Sequence, residues 1–277
     1  MLKTTAIPPQ LQTIPSPPKQ VFVRGELEAL LTRPRIAIAG SRKVSAYGRA
    51  VTEQLAGELA EQGIVIVSGL AFGVDSIAHQ AALEAGGHTI AVLPSTIDKV
   101  YPTSHQHLAD TIVKQGGALL SEYPEGSRIF KTNFIARNRL IAGLSDAVLV
   151  TEAALKSGSL HTARFALEAG REVLAVPGNI TSSTSEGTNN LLRAGAAVVT
   201  SADDVLQFLG LDAAPKQLSL GSTPEEQAIL DLLDTGLSDG AELQIQSKLD
   251  ITAFNQALTM LELTGKIRST GANHWAR

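Results

Sequence analysis

Three separate segments of the sequence combine basic residues with hydroxyl or amide side chains, which is the chemistry of phosphate binding. The first is Gly40-Ser41-Arg42-Lys43, at the end of an apolar run that begins at Arg35. A glycine-serine turn before a helix offers backbone N–H groups and the positive end of the helix dipole to an anion. The Arg42 guanidinium adds a planar fork that matches phosphate oxygens. The alternative is a solvated surface arginine beside a tight turn.

The second segment places an aromatic ring among cations and an amide, a combination typical of single-stranded nucleic-acid binding. If residues 131–139 are helical, Phe134 and Asn138 lie four positions apart on one face. Rings stack bases, while cations follow the phosphate backbone. The alternative is that Phe134 belongs to the core and one arginine is an internal ion-pair partner. The candidates in this segment are Lys131, Phe134, Arg137, Asn138 and Arg139.

The third segment is the turn Lys156-Ser157-Gly158-Ser159, which precedes a helix predicted over 159–169. Lys156 is placed to meet a phosphate, with both serines donating hydrogen bonds beside the helix N-terminus. The interpretation of Ser157 or Ser159 as an ordinary helix N-cap is compatible with that role.

No combination of residues predicts catalysis or a cofactor. The dinucleotide pattern G-x-G-x-x-G fails because Arg42 and Ser45 replace two of its glycines, and Ser68-Gly69 stand where an acid would hold a ribose. No nucleophile-elbow pattern stands out, and His161 has no partner at metal-ligand spacing. The chain contains no cysteine, which excludes disulfides. We therefore expect no catalytic residue, no metal and no cofactor.

The three segments lie where strands end in the fold that the apolar pattern predicts. From residue 35 onward, short β-branched runs alternate with helical patterns, which favours a parallel sheet covered by helices on both faces. In such doubly wound α/β folds, ligands bind beyond the C-terminal ends of the strands. One helix is predicted over 46–62, and a second is predicted to begin after Asp75, which serves as its N-cap. Strands are predicted at 35–39, 64–69, 88–93, 117–122, 147–152, 172–178 and 196–201.

Charge is distributed unevenly along the chain. The net charge is −4, but residues 222–277 hold eight acids and four bases, so residues 1–221 are neutral. Within that neutral part, 29–52 and 126–145 contain several bases and no acid. Two patches of one sign in a neutral domain indicate an anionic ligand. No apolar run approaches the ~18–20 residues of a membrane span, and there is no secretory signal, so we expect a cytoplasmic protein.

Several segments, taken in order, resemble the DNA-processing protein A family, also called DprA or Smf. The resemblance covers residues 7–277 and includes a tail, LTMLELTGKIRSTGANHWAR, that is similar to the family's winged helix. It implies an extended Rossmann domain that binds single-stranded DNA and loads RecA recombinase onto it in natural transformation. It also implies protection of incoming DNA, a homodimer, and no established catalytic chemistry. The segments are AGSRKVSAYGR, VSGLAFGVDSIAH, DKVYP, LLSEYP, NFIARNRLIAGLS, EAALKSGSLHTA and REVLAVPGN.

The resemblance carries the three segments over to one DNA-binding pocket, and three departures from the family pattern accompany it. Many members carry an N-terminal helical SAM-like domain, which we expect this chain to lack. Ile135 stands where proline is usual, and Phe72 stands where a base is common, so Phe72 is expected to stack or to be buried. The expected DNA-binding residues are Gly40, Ser41, Arg42, Lys43, Gly69, Lys131, Phe134, Arg137, Asn138, Arg139, Lys156, Ser157, Gly158 and Ser159.

Four regions follow from these patterns. Residues 1–34 are expected to form a proline-rich, extended lead-in packed on the main domain, and 35–210 a Rossmann-like DNA-binding domain with a mostly parallel sheet. Residues 211–223 lack periodicity, as is typical of a linker. Residues 224–277 are expected to form a small C-terminal winged helix, with helical patterns near 224–235 and 240–264. Its acidic charge repels phosphate, which favours a role in protein interaction or autoregulation over duplex-DNA binding.

The alternative function is a nucleotide-processing enzyme related to the phosphoribohydrolases of the lysine-decarboxylase-like group. These enzymes share a Rossmann layout and use a Pro-Gly-Gly-x-Gly-Thr-x-x-Glu loop. The equivalent place here is 157–165, where Phe165 stands at the position of the glutamate. The missing carboxylate makes this alternative the weaker of the two.

Overall fold

A computed structural model describes residues 3–211 and 221–276, with side chains from residue 6 onward. The chain divides into two compact units, Met1–Ala214 and Pro215–Arg277, and each is described by itself. Most of the predicted linker at 211–223 lies outside the described residues. Within the part of the chain that the structure describes, no helix is long and apolar enough to cross a membrane.

The first unit alternates strands and helices in the order expected for an α/β domain. Its strands are β1 (Lys3–Thr5), β2 (Val21–Gly25), β3 (Arg35–Gly40), β4 (Val65–Ser68), β5 (Thr89–Val92), β6 (Ala118–Ser121), β7 (Ala147–Glu152), β8 (Glu172–Ala175) and β9 (Ala197–Val198). Its helices are α1 (Pro9–Gln12), α2 (Leu27–Leu30), α3 (Ala46–Glu61), α4 (Val74–Glu84), α5 (Gln106–Lys114), α6 (Lys131–Leu144), α7 (Ser159–Glu168), α8 (Glu186–Arg193) and α9 (Ala202–Phe208).

All nine strands form one sheet, in the order β1-β2-β6-β5-β4-β3-β7-β8-β9. The seven strands predicted from the sequence are β3 to β9, and they pair with one another in parallel. The prediction of a mostly parallel, doubly wound sheet is therefore confirmed. Strand order reverses at β3, whose neighbours are β4 and β7, and this topological switch point is where such sheets bind ligands.

Alternate side chains of the central strands enter separate cores on the two faces of the sheet. Ile36 and Ile38 of β3 are completely buried with residues of α3 and α4, whereas Ala37 joins the core on the opposite face. Burial of both faces explains why these strands appear in the sequence as continuous apolar runs rather than as an alternating pattern.

The lead-in is more ordered than the expectation of an extended segment. It contributes β1 and β2, which extend the sheet antiparallel beyond β6, and the short helix α1 begins at Pro9. Leu11 is 0% and Ile14 is 4% exposed. A Cβ atom at Gly143 of α6 would lie 2.7 Å from Ile14 Cγ2. The apolar residues between the prolines therefore pack on α6, and Pro9–Gln12 form a short helix rather than extended chain.

The second unit consists of three helices followed by a two-stranded hairpin, the arrangement of a winged helix. The predicted helical pattern at 240–264 is in fact two helices. Lys248 adopts a left-handed conformation with φ of 57°, and the Asp250 carboxylate caps the helix that follows. Leu230, Leu243 and Leu261 are completely buried in a separate core. The elements are α10 (Pro224–Asp234), α11 (Gly240–Ser247), α12 (Ile251–Leu263), β10 (Arg268–Gly271) and β11 (His274–Ala276).

Candidate nucleic-acid interface

The loops that follow β3, β4 and β7 and one face of α6 enclose a pocket of about 810 Å³. It lies at the switch point, and its volume is in the range of ligand sites, ~300–1,000 Å³. Gly69 and Arg139 are the only predicted site residues outside its lining. The predicted residues that do line it are Gly40, Ser41, Arg42, Lys43, Lys131, Phe134, Arg137, Asn138, Lys156, Ser157, Gly158 and Ser159.

A cation and two aromatic rings stand together on one wall of this pocket. The Arg42 guanidinium carbon lies 5.4 Å from the centroid of the Phe134 ring. The Tyr101 ring meets Phe134 edge-on, with 5.2 Å between centroids, and Tyr101 is 44% exposed. Phe134 is half-buried rather than part of the core. Sequence reasoning missed Tyr101 although it lies in the segment DKVYP, because a lone tyrosine in a loop carries no periodic pattern.

The backbone at the start of α3 is already occupied by a carboxylate of the chain itself. Glu152 is 1% exposed, its Oε2 accepts from Ser45 N at 2.9 Å, and its Oε1 accepts from the Ser45 hydroxyl. A Cβ at Gly48 would lie 2.7 Å from that carboxylate. The expectation that this helix N-terminus offers its N–H groups to a phosphate is therefore corrected. Side chains, chiefly those of Arg42 and Lys43, remain available to an external anion.

The position of the Arg42 loop depends on close packing against the start of α4. A Cβ at Gly40 would lie 2.5 Å from Val74 Cγ2. Gly73 has φ of 77°, and Val74 N donates to Ser41 O at 3.1 Å.

Helix α4 has Gly73 as its N-cap. Asp75, predicted as the cap, lies inside the helix instead and lines the pocket.

Arg137 is a buried structural residue rather than an exposed cation. It is 3% exposed, and its Nη1 donates to Gly69 O at 2.5 Å and to Val92 O. A Cβ at Gly69 would lie 2.3 Å from the guanidinium, so Gly69 lies against Arg137 rather than lining the pocket. Burial lowers the pKa of Arg137 to about 10, although the negative charge of Asp75 acts to raise it. Burial also raises the pKa of the Asp75 carboxyl, although Arg137 acts in the opposite direction.

Arg139 is likewise engaged inside the protein. Its guanidinium forms two hydrogen bonds with the Glu122 carboxylate, at 3.0 and 2.7 Å, and its Nε donates to Ser16 O. The side chain is 13% exposed and does not line the pocket. The structure therefore places Arg139 outside the pocket, and its assignment as a DNA contact stays a prediction. The basic character of residues 126–145 was overestimated because the neutralising acids come from other segments.

Four exposed cations, from two loops and the start of α6, remain around the pocket, namely Arg42, Lys43, Lys131 and Lys156. Among the described residues that line it, the acid is Asp75, whose negative charge interacts with the positive charge of Arg137. The exposed rim is therefore positively charged although residues 1–221 are neutral overall. This arrangement attracts a polyanion rather than a single phosphate.

The third predicted turn has the expected location but a different cap. Helix α7 has Gly158 as its N-cap, so neither serine caps it. The Ser157 and Ser159 hydroxyls lie 2.7 Å apart, and Asn138 Nδ2 donates to Gly158 O at 3.4 Å. This hydrogen bond connects the turn to α6. Lys156, in the same turn, is exposed at the rim of the pocket.

Two of the three departures from the family pattern, Ile135 and Phe72, are exposed side chains. Helix α6 begins at Lys131, and Ile135 is 45% exposed and lines the pocket. Phe72 is 51% exposed, with its ring edge-on to His105 at 4.9 Å between centroids. Phe72 is therefore an accessible aromatic side chain and not a core residue.

Comparisons with known proteins show the family to which this chain belongs. Residues 1–210 match the family model for DNA recombination-mediator protein A. The chain belongs to this family. Residues 213–273 match the model for the DprA winged helix domain, which confirms the predicted C-terminal fold. Membership of the DNA recombination-mediator protein A family also confirms the resemblance derived from the ordered segments.

Individual relatives of the family are similar to about three quarters of this chain. The chain is 47% identical over 202 residues to Protein Smf of Escherichia coli, covering 73% of this chain and 54% of that protein. It is 45% identical over 199 residues to DNA processing protein DprA of Streptococcus pneumoniae, covering 72% and 70%. The chain therefore spans about half the length of the Escherichia coli relative.

Two solved structures of the family share the fold. The X-ray structure of DprA from Streptococcus pneumoniae has a TM-score of 0.70 at 43% identity and covers 74% of each chain. A structure of DNA processing protein A from Helicobacter pylori has a TM-score of 0.69 at 37% identity and covers 76% of this chain and 95% of that chain. The Helicobacter pylori structure is described as giving insight into a single-stranded DNA binding mode.

Proposed function

We propose that this protein binds single-stranded DNA in the basic pocket and acts in DNA processing and recombination. The observation that carries the proposal is the position of the Arg42 guanidinium over the Phe134 ring, beside exposed Lys43, Lys131 and Lys156. Cations follow a phosphate backbone, and an adjacent ring stacks a base of any identity. Single-strand binding with little sequence preference needs both.

Two further observations support the proposal. The chain belongs to the DNA recombination-mediator protein A family, and a solved structure of a relative, covered over 95% of that chain, concerns its single-stranded DNA binding mode. A paired duplex does not offer unstacked bases to a ring inside a pocket, whereas a single strand does. The pocket therefore favours a single strand over a duplex.

Titration with fluorescent oligo-dT at increasing salt tests the proposal. Affinity is expected to fall with a log–log slope of about −0.7 per phosphate neutralised, hence roughly −2 to −3 if the exposed cations each neutralise one phosphate. A duplex of equal length should bind more weakly in the same assay. Absence of binding at low salt, or equal affinity for the duplex, would contradict the proposal.

We further propose that the protein protects incoming DNA and loads RecA recombinase onto it in natural transformation, as a homodimer. Family membership is what supports this finer role. RecA ATPase activity on DNA coated with single-strand-binding protein is expected to start with a shorter lag when this protein is present. An unchanged lag would argue against loading, and sedimentation as a monomer at micromolar concentration would argue against the homodimer.

A binding role is favoured over an enzymatic one by the residues of the 157–165 turn. Phe165, at the place of the phosphoribohydrolase glutamate, packs against the core, and the Arg164 guanidinium lies 5.3 Å from its ring centroid. Glu152, at the end of β7, is buried and holds the start of α3. Neither residue is placed to act on a nucleotide in the pocket.

A further inference from the structure

A second cavity, of about 430 Å³, adjoins the basic pocket and has an uncharged lining. It is formed by the start of α3 and by the loop 177–185, which contains the Pro-Gly-Asn sequence that ends the β8 segment. Thr184 lines both cavities, so they share a wall. Because the lining of the second cavity carries no charge, it favours a neutral ligand group over a phosphate.

Tyr47 presents an oriented aromatic face in this cavity. The side chain is 48% exposed, and its hydroxyl donates to Pro177 O at 2.7 Å. The hydrogen bond links α3 to the opposite loop and holds the ring in place without covering it. A ring fixed in this way stacks a ligand at a lower entropy cost than a freely rotating one.

The opposite wall of the cavity is held by its own hydrogen bonds. Gly178 N donates to Asn189 Oδ1 and Asn189 Nδ2 donates to Gly178 O, both at 3.1 Å. A Cβ at Gly178 would lie 2.2 Å from Ser185 Oγ, so only glycine permits this approach. Asn179 Oδ1 accepts from the Thr181 N–H and hydroxyl, at 3.0 and 2.8 Å, which fixes the orientation of its carboxamide. The cavity is therefore preformed, with hydroxyl and amide groups around the ring.

We propose that this cavity is a nucleobase subsite. A base of the strand that leaves the basic pocket past Thr184 stacks on Tyr47, and its polar edge meets the hydroxyl and amide groups of the loop 177–185. The inference rests on the proposed single-strand binding and extends it by one base contact. It assigns a ligand to a loop whose sequence alone indicated no chemistry.

Oligo-dT carrying a single 2-aminopurine at successive positions tests the subsite, because stacking on an aromatic ring quenches this base. One position is expected to be quenched by the wild type but not by Tyr47→Ala, while Phe134→Ala leaves that position quenched. Tyr47→Ala is also expected to weaken binding about tenfold, the effect of one lost base stack. The salt slope should not change, because no phosphate contact is removed.

Three further variants separate stacking from folding and surface effects. Tyr47→Leu keeps the bulk but not the ring and should match the alanine variant, whereas Tyr47→Phe keeps the ring and should bind within about threefold of wild type, since the stack outweighs one neutral hydrogen bond. Ile180→Ala, at a 90% exposed position outside the lining, is the control and should not alter binding.

The inference is overturned if Tyr47→Ala binds oligo-dT like the wild type with the same quenching pattern, or if Tyr47→Phe loses as much affinity as Tyr47→Ala. Both results leave the proposed function standing, provided that Arg42→Ala still weakens binding. If the wild type binds no oligonucleotide at low salt, the proposed function and the subsite fall together.

Discussion

Replacement of Arg42 by alanine is expected to weaken oligo-dT binding about 30-fold at low salt. A hydrogen-bonded contact between charged groups contributes ~1.5–3 kcal/mol, and the Arg42 guanidinium also lies over the Phe134 ring on which we place a base. Fluorescence anisotropy at several salt concentrations measures the effect. The log–log salt slope should become less negative by about 0.7, the value for one phosphate contact with a single strand.

Arg49→Ala is the matched control for Arg42→Ala. Arg49 lies seven residues further along, in α3, where its exposed side chain pairs with Glu53 at 3.2 Å and does not line the pocket. Its loss removes the same charge from the same part of the chain, and affinity should change by no more than about twofold, as expected for a screened surface charge. Equal losses in the two variants would show that general charge, rather than the pocket, governs binding.

Replacement of Arg137 by methionine is expected to lower the free energy of unfolding of the α/β unit by roughly 3–5 kcal/mol, because two buried backbone carbonyls lose a charged hydrogen-bond donor. The change removes the donor to Gly69 O and Val92 O, together with a positive charge that lowers the pKa of Asp75. Chemical denaturation followed by circular dichroism measures the loss. Lys131→Ala, at an exposed position of the same helix, is the control and should leave stability nearly unchanged.

The pH dependence of the Arg137→Met variant provides a second measurement. Burial raises the pKa of Asp75 in the folded protein, and removal of the Arg137 charge raises this pKa further. The folded variant therefore binds a proton at Asp75 more readily than the unfolded chain does, so its stability increases as pH falls through the raised pKa. The stability difference from wild type should narrow at acidic pH.

An Arg137→Met protein with wild-type stability and lost DNA binding would instead make Arg137 a direct contact.

The seven parallel strands and the three loops of the pocket could be predicted from the sequence because their causes are local. Residues 35–40 form an apolar run that ends in glycine, and Ser45 begins a helical pattern that its side chain caps by accepting from Gly48 N. Parallel strands then bring their carboxyl ends to one edge of the sheet. Arg42, Phe134 and Lys156, which are far apart in sequence, were therefore expected to share one site.

The lead-in shows where local patterns were insufficient. Prolines between residues 7 and 20 predicted an extended chain, but Leu11 and Ile14 are buried against α6. Strand β2 pairs with β6, almost a hundred residues away, and nothing in the short segment indicates that partner. Strand pairing of this kind depends on which sheet edge is free, and only the assembled sheet decides it.

The sequence by itself determined that cations and an aromatic ring meet at the carboxyl ends of the strands. Only the tertiary structure decided which of those charges reach solvent. Asp75 and Arg137 interact electrostatically inside the unit, Glu122 pairs with Arg139, and Glu152 accepts a hydrogen bond at the start of α3. Each of these acids lies many residues away from the group that it engages, and the Coulomb interaction depends on separation in space and on burial rather than on separation along the chain. Arg42 and the exposed lysines therefore form the DNA-binding rim that we propose. Arg137 and Arg139 instead form hydrogen bonds inside the α/β unit.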